Sequence, residues 1–318
     1  MSPADNNAAG EGISADGRVI VGISEQSLVY PNTRASFRWT RETGMVDMGH
    51  LSGSTLGYAT GISDNSLIVC GNETLVSTGL SMGYIWSNTV GFQALGDLAG
   101  GSISSGAQAI SGDGSTIVGF SSVANGHQAF RWTATSGMVG LPAPNNGEVP
   151  ANAFDVSYDG SVVVGNASVA GKLHAYRWTE LGGTEDLGVG SGFTTSSAVA
   201  VSADGEIIAV NQSPGGIRKG YLWTGSGGYR SVSQVLQDHF VDTTGWSSFT
   251  DLVDISADGQ TLLGTGTYMG QSSVYVAQLV PEPTYLVPFG VMAGLLTLRK
   301  GARRSRSNET QKLIRDLA

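Results

Sequence analysis

An apolar residue followed by Ser, a variable residue, Asp and Gly recurs so evenly along this chain that it restricts the fold to a repeat architecture. The motif starts at Ile13, Ile62, Ile110, Val156, Val201 and Ile255, at intervals of 49, 48, 46, 45 and 54 residues. Its turn reads Ser-Ala-Asp-Gly at 14–17, 202–205 and 256–259, Ser-Gly-Asp-Gly at 111–114 and Ser-Tyr-Asp-Gly at 157–160. The second copy departs, with Ser63-Asp64-Asn65-Ser66. Gly accepts a positive φ without steric cost, and each turn lies between short runs of β-branched and apolar residues, so each copy opens with a predicted hairpin.

The rest of the unit is clearest at 110–142. Gln128 to Thr133 alternates, with Ala129, Arg131 and Thr133 opposed to Phe130 and Trp132, the period of a half-buried strand. Gly137 marks another turn and Met138 to Leu141 a fourth short run. A Trp recurs on the third strand as Trp39, Trp86, Trp132, Trp178 and Trp223, while Ala277 holds that place in the sixth copy. Four strands repeating every 45–50 residues fit the blade of a β-propeller, since such a sheet buries its faces only by stacking on neighbours. The expectation is all-β: about six four-stranded blades, or seven if an upstream part is missing. The repeated Trp is expected between blades, because recurrence at one internal position favours packing over a sugar-stacking row.

The fourth strand has no counterpart after the sixth copy, and residues 1–12 match the lead-in to later hairpins, such as Ser105-Gly106-Ala107-Gln108-Ala109. The chain is therefore expected to begin inside a repeat, with the missing strand supplied from upstream. Residues 1–12 show neither the basic start nor the apolar run of a signal peptide. Between copies five and six lies the longest interval, with Ser233 to Phe240 and an off-register Trp246. A turn of helix packed on the blade edge is the reading preferred there over a binding loop.

Composition bears on function. With 47 Gly and 9 Pro, the chain suits short strands joined by turns. Residues 1–298 carry 10 Lys/Arg and 24 Asp/Glu, whereas 299–318 carry 7 basic and 2 acidic residues. An acidic body argues against nucleic acid as a partner, since binding it needs a basic surface. Cys70 takes a strand position that Val21, Val118 and Val164 hold in other copies and is read as a small buried hydrophobe. Gly79-Leu80-Ser81-Met82-Gly83 matches the nucleophile-elbow pattern but lacks a strand-to-helix context. His50, His127, His174 and His239 show no metal-ligand pairing, and Gly264-Thr265-Gly266 lacks the spacing of a phosphate loop. No catalytic residue, metal ligand or cofactor is assigned.

From 281 the sequence changes character. Pro281-Glu282-Pro283 leads into 15 mostly apolar, uncharged residues at 284–298, then a basic cluster at 299–306 with Arg299, Lys300, Arg303, Arg304 and Arg306, then a polar tail at 307–318. A helix over 284–298 would span about 22 Å against a hydrocarbon core of ~30 Å, short for a permanent anchor. Its basic end would stay cytoplasmic and leave the repeats, residues 1–280, outside.

The pattern of Trp-Thr, Gly-Met-Val-Asp-Met-Gly, Ala-x-x-Ile-Ser-x-Asp-Gly and Val-Gly over roughly 7–279 resembles the HAF family of bacterial extracellular repeats. Pro281-Glu282-Pro283, the apolar run and the Arg cluster resemble the PEP-CTERM sorting signal. That resemblance implies export, transient membrane insertion through 284–298, and cleavage near Pro281-Glu282-Pro283 by an exosortase-type enzyme. It also implies residence at the bacterial cell surface or in its matrix. The expected function is non-enzymatic binding of exopolysaccharide or an envelope partner by a propeller surface. The alternative is a secreted propeller enzyme, a glycan hydrolase or lyase, which would need a carboxylate pair about 5–10 Å apart at the central channel.

Overall fold

The computed structural model describes residues 8–24, 34–144 and 148–279. The expectations for the 281–318 tail, including its apolar helix, fall outside these residues. Among these residues, twenty-three strands form six small antiparallel sheets in chain order, and there is one helix. Blade 1 comprises β1 (Ala8–Ile13), β2 (Val19–Ser24), β3 (Ala35–Thr40) and β4 (Gly44–Asp47). Blade 2 comprises β5 (Ser54–Ile62), β6 (Ile68–Leu75), β7 (Ser81–Ser87) and β8 (Gly91–Ala94). Blade 3 comprises β9 (Ser105–Ile110), β10 (Thr116–Val123), β11 (Gly126–Thr133) and β12 (Gly137–Gly140). Blade 4 comprises β13 (Asn152–Val156), β14 (Val162–Val169), β15 (Lys172–Thr179) and β16 (Gly183–Gly188). Blade 5 comprises β17 (Thr195–Val201), β18 (Ile207–Ser213), β19 (Lys219–Thr224) and β20 (Gly228–Ser231). Blade 6 holds only β21 (Trp246–Ile255), β22 (Thr261–Tyr268) and β23 (Gln271–Gln278) among the described residues. The molecule is an all-β propeller of six blades.

The repeated turn is built by its side chains. In the fifth copy the Ser202 hydroxyl donates to Asp204 Oδ1 at 2.6 Å, that oxygen accepts the Glu206 N–H at 3.0 Å, and Ser202 Oγ accepts the Ile207 N–H at 3.0 Å. The Ser202 hydroxyl first, and the Glu206 N–H second, hold the Asp204 carboxyl below its ordinary value. The divergent second copy makes the same turn, with Asn65 in place of Asp and Ser66 in the Gly position at φ +63°. Successive turns are tied to one another: the Tyr158 N–H donates to the Ala203 carbonyl at 3.1 Å and the Ala203 N–H to the Ala257 carbonyl at 2.9 Å.

Each first strand carries an extra residue at one common position. The ladder to the second strand skips Glu11, Thr60, Gln108, Phe154, Val199 and Val253 in blades 1 to 6, a β-bulge repeated six times. This explains how the Ala and Ile of the Ala-x-x-Ile pattern both turn inward on a strand whose strict period would oppose them.

The core is divided among the seams between blades. Val21 of blade 1 shares a cluster with Val69 of blade 2, Cys70 with Ile117 of blade 3, and Val118 with Val163 of blade 4. Val164 joins Ile208 of blade 5, and Ala209 joins Leu262 of blade 6. Trp86, Trp132, Trp178 and Trp223 pack against these clusters but stay half-buried. The deeper ring lies two residues earlier on the same strand, as with Tyr84, Phe130 and Tyr176, each 0% exposed. Blade 6 has Tyr275 there at 2%. The insertion contains helix α1 (Val232–Asp238), capped by Ser231, whose Val232, Val235 and Leu236 are buried at the seam of blades 5 and 6. Trp246 stacks on Phe249 at 5.4 Å and contacts Tyr268 and Tyr275.

Candidate functional site

Antiparallel order places the connections between strands 1–2 and 3–4 of each blade on one face, and those between strands 2–3 and from one blade to the next on the other. On the first face the turns of blades 2 to 6 are linked to one another. The second, the loop face, carries the features able to meet a ligand.

An asparagine marks the site. Asn72, Asn166 and Asn211 occupy the same position of strand 2, one residue beyond Gly71, Gly165 and Val210. Asn72 clamps blade 3: its Nδ2 donates to the Ala107 carbonyl at 2.9 Å and its Oδ1 accepts the Ala107 N–H at 2.7 Å. Asn211 holds Leu252 of blade 6 in the same way, both contacts at 2.8 Å. Asn166 makes no such clamp. Its Nδ2 lies 3.4 Å from Ser197 Oγ, and its Oδ1 is buried without a hydrogen-bond partner, in a residue only 7% exposed.

At that seam an open cleft of about 450 Å³ runs between blades 4 and 5. Phe154 and Val199, two of the bulge residues, form its inner part, while Leu173 and Arg218 stand at the strand 2–3 connections. Ser197, Asn211 and Ser213 add hydroxyl and amide groups between them. The volume falls in the ordinary range of small-molecule sites. Arg218 is solvent-exposed and reaches Asp251 at 3.5 Å, a pairing too loose and wet to fix it.

Two imidazole–carboxylate pairs lie on the same face. Glu73, 1% exposed, accepts the Ser54 hydroxyl at 2.5 Å and has His50 Nδ1 at 3.1 Å. Burial raises the Glu73 carboxyl above its ordinary value against the opposing pull of Ser54 and His50. Ser54 bonds the carboxylate rather than the imidazole, so the three do not form a nucleophile–base relay. His174 Nδ1 lies 3.0 Å from Asp186, whose Oδ1 also accepts the Gly188 N–H at 2.7 Å. No motif in the sequence points to either pair, because the partners are 23 and 12 residues apart; Asp186 repeats the strand-4 position of Asp47, each accepting the N–H two residues on, but without a strand-3 His beside Asp47 in the pattern.

Two further acids sit on the innermost strands. Asp155 accepts the Val201 N–H of the next blade at 2.8 Å. Burial, opposed by that bond, pushes its carboxyl up to about 7, and the charge of Asp254 contributes in the same direction. Burial also raises the Asp254 carboxyl. In the sequence both are counted only among the 24 acids of residues 1–298. The signal that sets them apart is their place directly before Val156 and Ile255, where the other copies have only Gly or Ala.

The remaining candidates fall as follows. Cys70 is fully buried, and burial lifts its thiol to about 12, which suits a packing residue. Ser81 opens β7 rather than a strand-to-helix turn. His127 packs edge-on against Phe120 at 5.2 Å. No group of three or more metal-binding side chains occurs among the described residues.

No family model and no curated protein matches the chain. Solved structures do. The β-propeller domain of the Trilobed protease from Pyrococcus furiosus, described as having an open velcro topology, is 11% identical with a TM-score of 0.58, covering 93% of this chain and 86% of that one. A putative TolB from Agrobacterium tumefaciens is 16% identical with a TM-score of 0.52, covering 72% of this chain and 81% of that one. TolB from Acinetobacter baumannii is 13% identical with a TM-score of 0.52, covering 83% of this chain and 61% of that one. At these identities the likeness is one of fold.

Proposed function

We propose that this chain is an exported, non-enzymatic surface or matrix protein that binds polysaccharide on the loop face of its propeller, in the cleft between blades 4 and 5. The observation that carries the reading is Asn166, released from the clamp its counterparts make and set beside an open cleft. Saccharides present hydroxyls that pair with amides and hydroxyls, and C–H faces that pack on rings. Asn166, Ser197 and Ser213 offer the first and Phe154 the second. An exopolysaccharide or another envelope component is the natural ligand class. Delivery would run through the 281–306 segment, with an exosortase-type enzyme cutting near Pro281-Glu282-Pro283 after transient insertion of 284–298.

The test is a glycan array with the full chain and with Phe154→Ala and Asn166→Ala. Retention of a glycan class that both substitutions weaken by about tenfold or more, with unchanged melting, supports the reading. Absence of any retained glycan sinks it. Mass spectrometry of the exported protein should find a new C-terminus near 281–283.

Asp155 and Asp254 favour a second reading, a secreted glycan hydrolase or lyase, since both carboxyls are held above their ordinary range near the axis. Turnover of a bound glycan that Asp155→Asn abolishes would replace the first reading with this one. Against it stands the bond from the Val201 N–H, which already commits Asp155 to joining two blades.

A further inference from the structure

Among the described residues, five seams are packed and the sixth is open. Strand 1 of each later blade ends in an apolar residue turned against the preceding blade: Ile62 is 8% exposed, Val156 6%, Val201 7% and Ile255 6%, with Ile110 half-buried, whereas Ile13 of blade 1 is 60% exposed. On the opposite side, the strand-3 residue that meets the following blade is Ser36, Ala129 or Ala175, each 0% exposed, yet its counterpart in blade 6, Val274, is 43% exposed. Val276 and Leu263 beside it are also uncovered or half-covered. The described strands of blades 6 and 1 make none of the extensive contacts found at the other five seams.

The residues on the two sides of this gap nevertheless match. At a packed seam, the strand-3 residue meets a set position of strand 1 in the next blade. Ala129 shares a cluster with Ala153, and Ala175 with Ala198. A Cβ on Gly83 would lie 3.2 Å from the Ala107 nitrogen, and one on Gly220 would lie 3.2 Å from Leu252 Cδ1. So when the strand-1 residue grows to Leu, its partner shrinks to Gly. In the same register, Val274 of blade 6 corresponds to Gly10 of blade 1, large against small in the reverse sense. A Cβ on Gly10 would meet only Ile20 of its own blade.

A polar match accompanies the steric one. Asp155 joins blade 4 to blade 5 by accepting the Val201 N–H. Asp254 holds the same position in blade 6, and Ile13 holds the position of Val201 in blade 1. In this structure Asp254 Oδ1 accepts the neighbouring Ile255 N–H, at 2.8 Å, rather than a bond from another blade.

We propose that the sixth seam is a latch with two states: the open one seen here, and a closed one in which blade 1 of the same chain seats directly on blade 6. In the closed state Val274 packs against Gly10, Ile13 and Ile20 cover Leu263 as Val201 and Ile208 cover Val164, and Asp254 takes the Ile13 N–H. Asp254 and Asp155 both lie on innermost strands, so opening and closing this seam also changes access to the channel.

The test uses the full chain carrying Gly10→Cys and Val274→Cys, with Ala129→Cys and Ala153→Cys as the packed-seam control. Closure brings the two new thiols within disulfide reach, so oxidation should give a cross-linked monomer in both variants. Cross-linking of the control alone overturns the latch. So does cross-linking of 10 to 274 between two molecules, which would assign the face to a second copy. Amide exchange supplies a readout independent of cysteine chemistry. The Ile13 N–H should exchange about tenfold more slowly in the wild type than in Asp254→Ala, with Val201 unchanged, and equal rates in the two proteins overturn the latch.

Discussion

Ile255 and Ile13 are the same residue at the same point of the same repeat, and one is 6% exposed while the other is 60% exposed. Their own sheets do not differ at this point: each ends strand 1, just before a Ser-Ala-Asp-Gly turn. What differs is the neighbour. Ile255 lies against Ala209 and Leu222 of blade 5, whereas no packed blade precedes Ile13 among the described residues. Stability in this molecule is therefore a property of seams more than of blades, the behaviour expected of repeat proteins in which each unit contacts only those adjacent.

The contrast can be tested from its strongest point downward. Phe130→Ala empties a fully buried position at the seam of blades 2 and 3 and should cost about 3–5 kcal/mol. A urea midpoint left unmoved would show that seams do not carry the stability. Ile255→Ala should cost about 2–5 kcal/mol, and Ile13→Ala less, because Ile13 is covered only in the fraction of molecules whose sixth seam is closed. Equal losses in thermal melting would mean that the seam is always shut, and no loss at Ile13 that it never is.

Asp155 and Asp254 sharpen the comparison through pH. The Asp155 carboxyl rises from 3.8 to about 7 on folding, so the folded state holds the extra proton. Its contribution to stability is full below the unfolded value and is lost as pH rises through the folded one. Unfolding midpoints should therefore fall between about pH 4 and pH 7, and Asp155→Asn should flatten that fall. The smallest effect belongs to the second turn. Ser66 stands at φ +63° where the other turns carry Gly17, Gly114, Gly160, Gly205 and Gly259 at positive φ, and Ser66→Gly should stabilise by about 1 kcal/mol in the same melts.

The blades were legible because turn chemistry and alternation agree in every copy. In the insertion a turn of helix was legible over Ser233 to Phe240, but its start at Val232 and its Ser231 cap were not, and they emerge only with the burial of Val232, Val235 and Leu236. The open seam was not legible, because Ile13 reads like every other copy and exposure depends on a blade distant in sequence. Nor was the cleft, since Asn166 differs from Asn72 and Asn211 in its partners rather than in its type. Buried Glu73 was hidden for the opposite reason: its position in strand 2 has Ser121, Ala167 and Gln212 in later blades, so no period announces it.

The sixfold bulge has a consequence for how such a chain can diversify. A residue that is skipped by the ladder is released from strand pairing and answers only to its local neighbours. Glu, Thr, Gln, Phe, Val and Val occupy those six places, while the residues two positions later are confined to Ile and Val. The backbone thereby sets apart one variable letter per unit: Thr60 reaches the Ala107 carbonyl of the next blade, Phe154 lines the cleft and Val199 packs against the cluster of blades 5 and 6, so the junctions can be retuned one at a time while the strands that frame them stay fixed.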